Sequence, residues 1–170
     1  MMAAVDVHYE IDKSIAACIA FKEWGDSSPY KSKRITLSPS KDYCPGRFYK
    51  RELPCILAVL ESIDHTFDII IIDGYVHLKK DYGKGLGAYL FESLPYTSCI
   101  IGVAKNPLKI ADNFVQINRG KSKRPLFISS IGCPVQYAAE SIISMHGGNR
   151  IPTLLKLADK LARSQIPELI

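Results

Sequence analysis

Residues 67–74 read Phe-Asp-Ile-Ile-Ile-Ile-Asp-Gly, and four consecutive isoleucines leave a chain few ways to fold. A β-branched run with no polar alternation predicts a strand covered on both faces, at the centre of a sheet rather than on its surface. The run ends on Asp73, and Gly74 lets the backbone turn, which places a carboxylate at the mouth of the core. Asp-Gly is also an ordinary turn. Whether Asp73 carries chemistry therefore depends on which other acids reach the same place.

The 170 residues suit one domain, spanning 1–170, with a core that needs no staples. At 47% hydrophobic and 23% charged, the composition excludes extended disorder. No apolar run approaches the roughly 20 residues of a membrane span. The Met1-Met2-Ala3-Ala4 start has no basic segment ahead of an apolar one, so no secretory signal is read and a cytoplasmic protein is expected. Five cysteines, at 18, 44, 55, 99 and 133, include no Cys-x-x-Cys pair, which argues against a disulfide framework and a structural zinc site. Most are expected to be small buried hydrophobes. The four histidines are equally scattered, and a zinc enzyme is not indicated.

Net charge is +5, and its distribution says more than its sum. Lys31, Lys33, Arg34, Lys41, Arg47, Lys50 and Arg51 form one basic segment with the single acid Asp42. Lys105, Lys109, Arg119, Lys121, Lys123 and Arg124 form a second with Asp112. Two basic segments flanking an acid-tipped strand point to a polyanion laid across a carboxylate site. The alternative is a solvated basic surface.

Along the chain, residues 3–9 alternate as a strand with Asp6 and His8 on one face, followed by strands at 14–21 and 31–37. Short connections make these three an antiparallel meander. From Tyr49 the pattern becomes helical, with Leu53, Ile56, Leu57 and Leu60 on one face and Glu52 near the start. The isoleucine strand follows, then a Gly83-Lys84-Gly85-Leu86-Gly87 approach to a helix ending near Leu94, and a strand at 98–104 that ends on Lys105. Strand, helix, strand, helix, strand implies parallel pairing through right-handed crossovers. Strands at 113–118 and 125–129 joined by a basic turn come next, and helices at 135–145 and 152–163 close the chain. The glycine series fits either backbone amides approaching a base or phosphate, or close helix packing. It does not follow a strand directly, so a dinucleotide fingerprint is rejected.

Three antiparallel strands followed by alternating helices and parallel strands is the order of the ribonuclease H-like α/β fold, a central mixed sheet with helices on both faces. That fold gathers carboxylates from its first strand, a helix, its central strand and its last helix. This chain has acids in all four places: Asp6, Glu52, Asp73 and Asp159.

Several stretches, in order, resemble the endonuclease V family, nucleases acting next to inosine. Ala4-Val5-Asp6-Val7-His8-Tyr9 is similar to the family's first strand, which supplies its first metal-binding aspartate. Tyr43-Cys44-Pro45-Gly46, then Arg51-Glu52, resembles its Tyr-x-Pro-Gly and Arg-Glu at the same spacing. Asp73-Gly74 stands where its second catalytic aspartate and glycine stand, and Ile101-Gly102-Val103-Ala104-Lys105 matches Ile-Gly-Val-Ala-Lys. Arg150-Ile151-Pro152 with Ala158-Asp159 resembles the family's Arg-Leu-Pro and terminal Ala-Asp. Two departures stand out. Asp6 lies almost at the start of the chain, and Tyr75-Val76-His77-Leu78-Lys79-Lys80 replaces the second glycine and His-Pro-Arg that follow the family's Asp-Gly.

The resemblance implies a metal-dependent endonuclease. Asp6, Asp73 and Asp159 would hold Mg²⁺, with Mn²⁺ able to substitute, and Glu52 would complete the site. Magnesium wants hard carboxylate oxygens and keeps waters for phosphate. Lys105 would stabilise charge on the cleaved phosphodiester; a surface lysine paired with Asp112 or Asp73 is the alternative. Tyr43, Pro45, Gly46, Arg51, His77, Lys80, Gly85 and Lys105 are the expected nucleic-acid contacts, with DNA or RNA, inosine-containing or not, as partner. A nucleic-acid-binding relative without catalysis, and a nuclease of the same fold acting on flaps or junctions, are the competing readings.

Overall fold

The computed structural model of the chain describes residues 1–38, 49–164 and 167. Its elements are β1 (Met2–Tyr9), β2 (Ser14–Phe21), β3 (Lys31–Leu37), α1 (Tyr49–Glu61), β4 (Ile69–Ile72), β5 (His77–Leu78), α2 (Leu86–Ser93), β6 (Cys99–Ala104), β7 (Ala111–Asp112), β8 (Phe114–Ile117), β9 (Leu126–Ile131), α3 (Val135–Ser144) and α4 (Thr153–Ala162). Seven strands form one sheet in the order β3-β2-β1-β4-β6-β9-β8. β1, β4 and β6 are parallel to one another, while β2, β3, β9 and β8 continue outward in antiparallel pairs. This is the expected ribonuclease H-like arrangement.

The isoleucine run explains why both faces are covered. Strand side chains alternate, so Ile70 and Ile72 face one way and Ile71 the other, and all three are at most 1% exposed. Ile70 and Ile72 pack with Ile56, Val59 and Leu60 of α1 and Leu90 of α2. Ile71 packs with Ile142 of α3 and Leu154, Ala158 and Leu161 of α4. Each buried isoleucine contributes about 1.5–3 kcal/mol, so a two-sided strand holds both helical layers to one sheet. None of the helices among the described residues is long and apolar enough to cross a membrane.

Three features depart from the sequence reading. Cys99 and Cys133 are joined in a disulfide, with Cα atoms 5.7 Å apart, because the start of β6 passes under the β9–α3 turn; Cys18 and Cys55 are free and buried as expected. Arg119 belongs to the interior rather than to a basic surface. It is 5% exposed, and its guanidinium donates to the carbonyls of Ile142, Met145 and Asn149. The segment after Asp73 is also ordered into a second sheet, with β5 antiparallel to β7 and a 3₁₀ turn at Lys80–Tyr82.

Candidate active site

Strand register assembles the site. Val5 pairs with Ile72, so the next residues, Asp6 within β1 and Asp73 just beyond β4, lie side by side on adjacent parallel strands. Ile72 pairs with Gly102, and a Cβ at Gly102 would lie 2.5 Å from the carbonyl oxygen of Gly74. The absent side chain is what lets the Asp73-Gly74 turn cross over β6. Lys105 follows directly after β6, and its ammonium donates to Asp73 Oδ2 at 2.5 Å. α4 packs on β1 and β2 and brings Asp159, whose Oδ1 accepts from Arg163 Nε at 2.9 Å. α1 brings Glu52, only 7% exposed, with Oε2 buried and lacking a hydrogen-bond partner.

The acids feel one another. Burial, then the charges of Asp73 and Asp159, push Asp6 up to about 7, against the opposing pull of Lys105. Burial, then Asp6 and Asp73, push Glu52 up to about 8. Burial also works against a charged Asp159, but the Arg163 hydrogen bond, the charges of Arg163 and Lys105 and a hydrogen bond with Asp6 outweigh it and hold the carboxyl below its usual range. Lys105 loses by burial and gains more from Asp73, Asp6 and Asp159, which together raise it.

This donor set suits a hard divalent cation. It is all carboxylate oxygen, its members repel one another, and a buried oxygen of Glu52 has no partner; a cation offsets both costs. Among the described residues no three His, Cys, Asp or Glu groups already stand in ligating positions. Asp73 is turned to Lys105 and Asp159 to Arg163, so binding would need these side chains to reorient.

Two cavities open on the site. One, of about 470 Å³, lies under α4 and is lined by Asp6, Asp159, Lys105 and an aliphatic floor. The other, of about 570 Å³, runs between α1 and α2 past Glu52 and Gly74 and is walled by Tyr49, Tyr82 and Tyr89. Tyr49 and Tyr89 stack face to face, with centroids 3.8 Å apart and planes at 8°.

A family model for endonuclease V matches residues 1–125. The chain belongs to the endonuclease V family. The endonuclease V of Pyrococcus abyssi is 31% identical over 98% of this chain and 81% of its own length. That of Pyrococcus horikoshii is 30% identical over 98% and 75%. Among solved structures, the catalytic domain of human endonuclease V superposes with a TM-score of 0.78 at 20% identity, covering 96% of this chain and 81% of that one. Endonuclease V of Ciona intestinalis, in complex with a 24mer DNA containing an inosine followed by a ribo-adenosine, gives 0.78 at 17% identity, covering 96% and 84%.

Against the endonuclease V pattern, the structure brings Asp6, Glu52, Asp73, Asp159 and Lys105 to one end of the sheet. Of the two partners open to Lys105, it is Asp73 that it meets. The expected contacts Tyr43, Pro45 and Gly46 lie outside the described residues. The Arg51 guanidinium sits 3.8 Å over the Tyr9 ring, beside Glu52 rather than out in solvent. Lys80 is exposed in the 3₁₀ turn. His77 is spoken for by the fold, with Nε2 2.9 Å from the Ser130 carbonyl, and it does not line the tyrosine-walled groove. Tyr75 borders that groove but is 7% exposed; its ring packs on Phe114 and Phe127 and its hydroxyl donates to the Asn106 carbonyl. Gly85 lines the groove through close packing, since a Cβ there would lie 2.5 Å from the Val76 carbonyl oxygen. The Gly87 and Ala88 amides donate to the Tyr75 and Val76 carbonyls, so these two serve the packing of the helix start.

Sequence reasoning missed two parts of the site. The stacked tyrosines carry no local signal, because they come from different helices. Arg150 stands out in the sequence only as part of Arg-Ile-Pro, yet its guanidinium donates to the carbonyls of Lys105 and Pro125 and so fixes the backbone that carries Lys105.

Proposed function

We propose that this endonuclease V relative is a Mg²⁺- or Mn²⁺-dependent endonuclease that hydrolyses a phosphodiester bond beside a deaminated purine, above all inosine, in DNA or RNA. What supports the reading is the convergence of four carboxylates from β1, α1, the end of β4 and α4 on one edge of the sheet, next to a lysine. Asp6, Asp73 and Asp159 would hold the cation, which supplies Lewis-acid polarisation of the phosphate and activation of water. Lys105, tethered through its own carbonyl by Arg150, presents an ammonium to the charge that develops on the phosphate. Glu52, buried beside Asp6 and Asp73 with Oε2 lacking a partner, would complete the site directly or through water once the cation displaces its proton. The groove between α1 and α2 takes the extruded base against its tyrosine wall.

The test is to incubate purified protein with Mg²⁺ or Mn²⁺ and labelled single- and double-stranded oligonucleotides, each with and without one inosine. Cleavage that needs the cation and occurs beside inosine supports the proposal. Binding without cleavage under every condition would instead support a non-catalytic relative.

A further inference from the structure

Two of the site's carboxylates open to solvent, and each of them holds a cation of this chain. Asp73 accepts from Lys105 at 2.5 Å and Asp159 from Arg163 at 2.9 Å, with all four side chains between 35% and 47% exposed. Mg²⁺ held by the same two carboxylates would oppose both of these positive charges, so lysine and arginine must leave their acids for it to bind. A lysine released in this way faces the phosphate. We propose that Arg163 makes the matching exchange from α4: it neutralises Asp159 in the metal-free protein, gives that carboxylate up to the cation, and turns its guanidinium onto a phosphate of the bound strand.

The place of Arg163 on the helix permits the exchange. Residues 159 and 163 are one turn apart, so their ion pair forms within α4 and not between elements. Parting it leaves the docking of α4 intact, since Leu154, Ala158, Leu161 and Ala162 carry that contact. A pair this open is worth little, so parting it also costs little. Arg163 meets Asp159 through Nε. The fork of terminal amino groups, which grips a phosphate by two parallel bonds, is not the edge committed to the acid. The Asp159 hydrogen bond and charge, and beyond them the charge of Asp6, hold the guanidinium above its ordinary range, so Arg163 stands within reach of both acids.

The exchange rests on the proposed metal site, and the experiment separates the two. Mg²⁺ is titrated calorimetrically into the full-length protein at one neutral pH, without nucleic acid. Arg163→Gln is expected to bind Mg²⁺ about threefold more tightly than the parent, the worth of one exposed ion pair that no longer competes. Lys160→Gln removes a charge one residue from Asp159 and should bind as the parent does. Affinity for an inosine strand is then followed against salt, with the mapped cleavage position made non-hydrolysable by a methylenephosphonate link. In Mg²⁺ the slope of log affinity against log salt should be shallower for Arg163→Gln by about 0.7–0.9, the share of one phosphate contact, and Arg163→Lys should recover most of it. In EDTA, where Arg163 stays with Asp159, the slopes should agree. Unchanged or weaker Mg²⁺ binding by Arg163→Gln would make Arg163 a clamp on Asp159 and overturn the exchange. An equal gain in Lys160→Gln, or equal salt slopes in Mg²⁺, would overturn it as well, and each of these results leaves the nuclease reading standing. A parent protein that binds no Mg²⁺ would overturn both.

Discussion

Replacing Glu52 by glutamine should make the metal-free protein more stable at neutral pH and flatten its pH dependence. Burial, then Asp6 and Asp73, raise the Glu52 carboxyl from 4.5 to about 8 in the folded protein, so the native state holds a proton that the unfolded chain releases. Stability from this group is complete below about pH 4.5 and is lost progressively as pH rises towards 8. Across two pH units inside that window the loss is about 2–3 kcal/mol, at roughly 1.4 kcal/mol per unit. For a chain of 170 residues that is a fall in Tm of about 5–10 °C between about pH 5.5 and 7.5. Asp6, raised from 3.8 to about 7 mainly by burial, adds a second loss in the same direction that ends nearer neutrality. The glutamine keeps the shape and removes the titration. Melting curves in EDTA at several pH values, parent against Glu52→Gln, measure the difference directly. Equal slopes in the two proteins would refute the claim that Glu52 is buried among like charges. Mg²⁺ should restore stability to the parent at pH 7.5 and do less for the variant, since a cation offsets the same repulsion.

Arg119→Met should destabilise the protein by about 3 kcal/mol, because three buried carbonyls lose their donor; a denaturant titration showing a change below about 0.5 kcal/mol would mean those bonds are replaced by water. Nucleic-acid affinity should fall steeply with salt through exposed cations such as Lys80, Lys109, Lys121 and Lys123, and a flat plot of log affinity against log salt would make them ordinary surface. Preference for inosine over adenosine should stay below about a thousandfold: His77 is engaged with Ser130 and Tyr75 with Asn106, and each hydrogen bond missing at a base edge relaxes choice by about 1–3 kcal/mol. Competition between strands differing at that one base measures it, and a larger preference would show that other groups read the base.

The parts of this protein written in local sequence were legible. Isoleucines 69–72 declare a central strand and Leu53 to Leu60 a helix face, while Asp73 and Lys105 follow directly on the apolar strands that carry them. What could not be read is what arises only when distant segments meet. The Cys99–Cys133 bond spans 34 residues and depends on a turn passing over β6. Arg119 looks like one of six cations in a basic segment, and only the docking of the α3–α4 connection shows that it faces inward. Glu52 reads as an acid on a helix, which is ordinarily solvated, until α1 packs it against the sheet. The tyrosine stack and the cavity under α4 likewise have no one-dimensional signature, because each is formed between elements. His77 shows the same dependence: β5 pairing with β7 sets its Nε2 against the Ser130 carbonyl, a contact its sequence neighbours do not announce.

Carboxylates at one end of the central strands are proposed to hold the ion that drives hydrolysis. Mg²⁺-dependent cleavage of an inosine oligonucleotide by Asp6→Asn and Asp73→Asn, measured beside binding of the same strand in EDTA, decides it. The amide keeps the shape and removes the charge, so each variant is expected to lose about a hundredfold or more in rate while binding within a few-fold of the parent. Cleavage by both variants at close to the parental rate would contradict it.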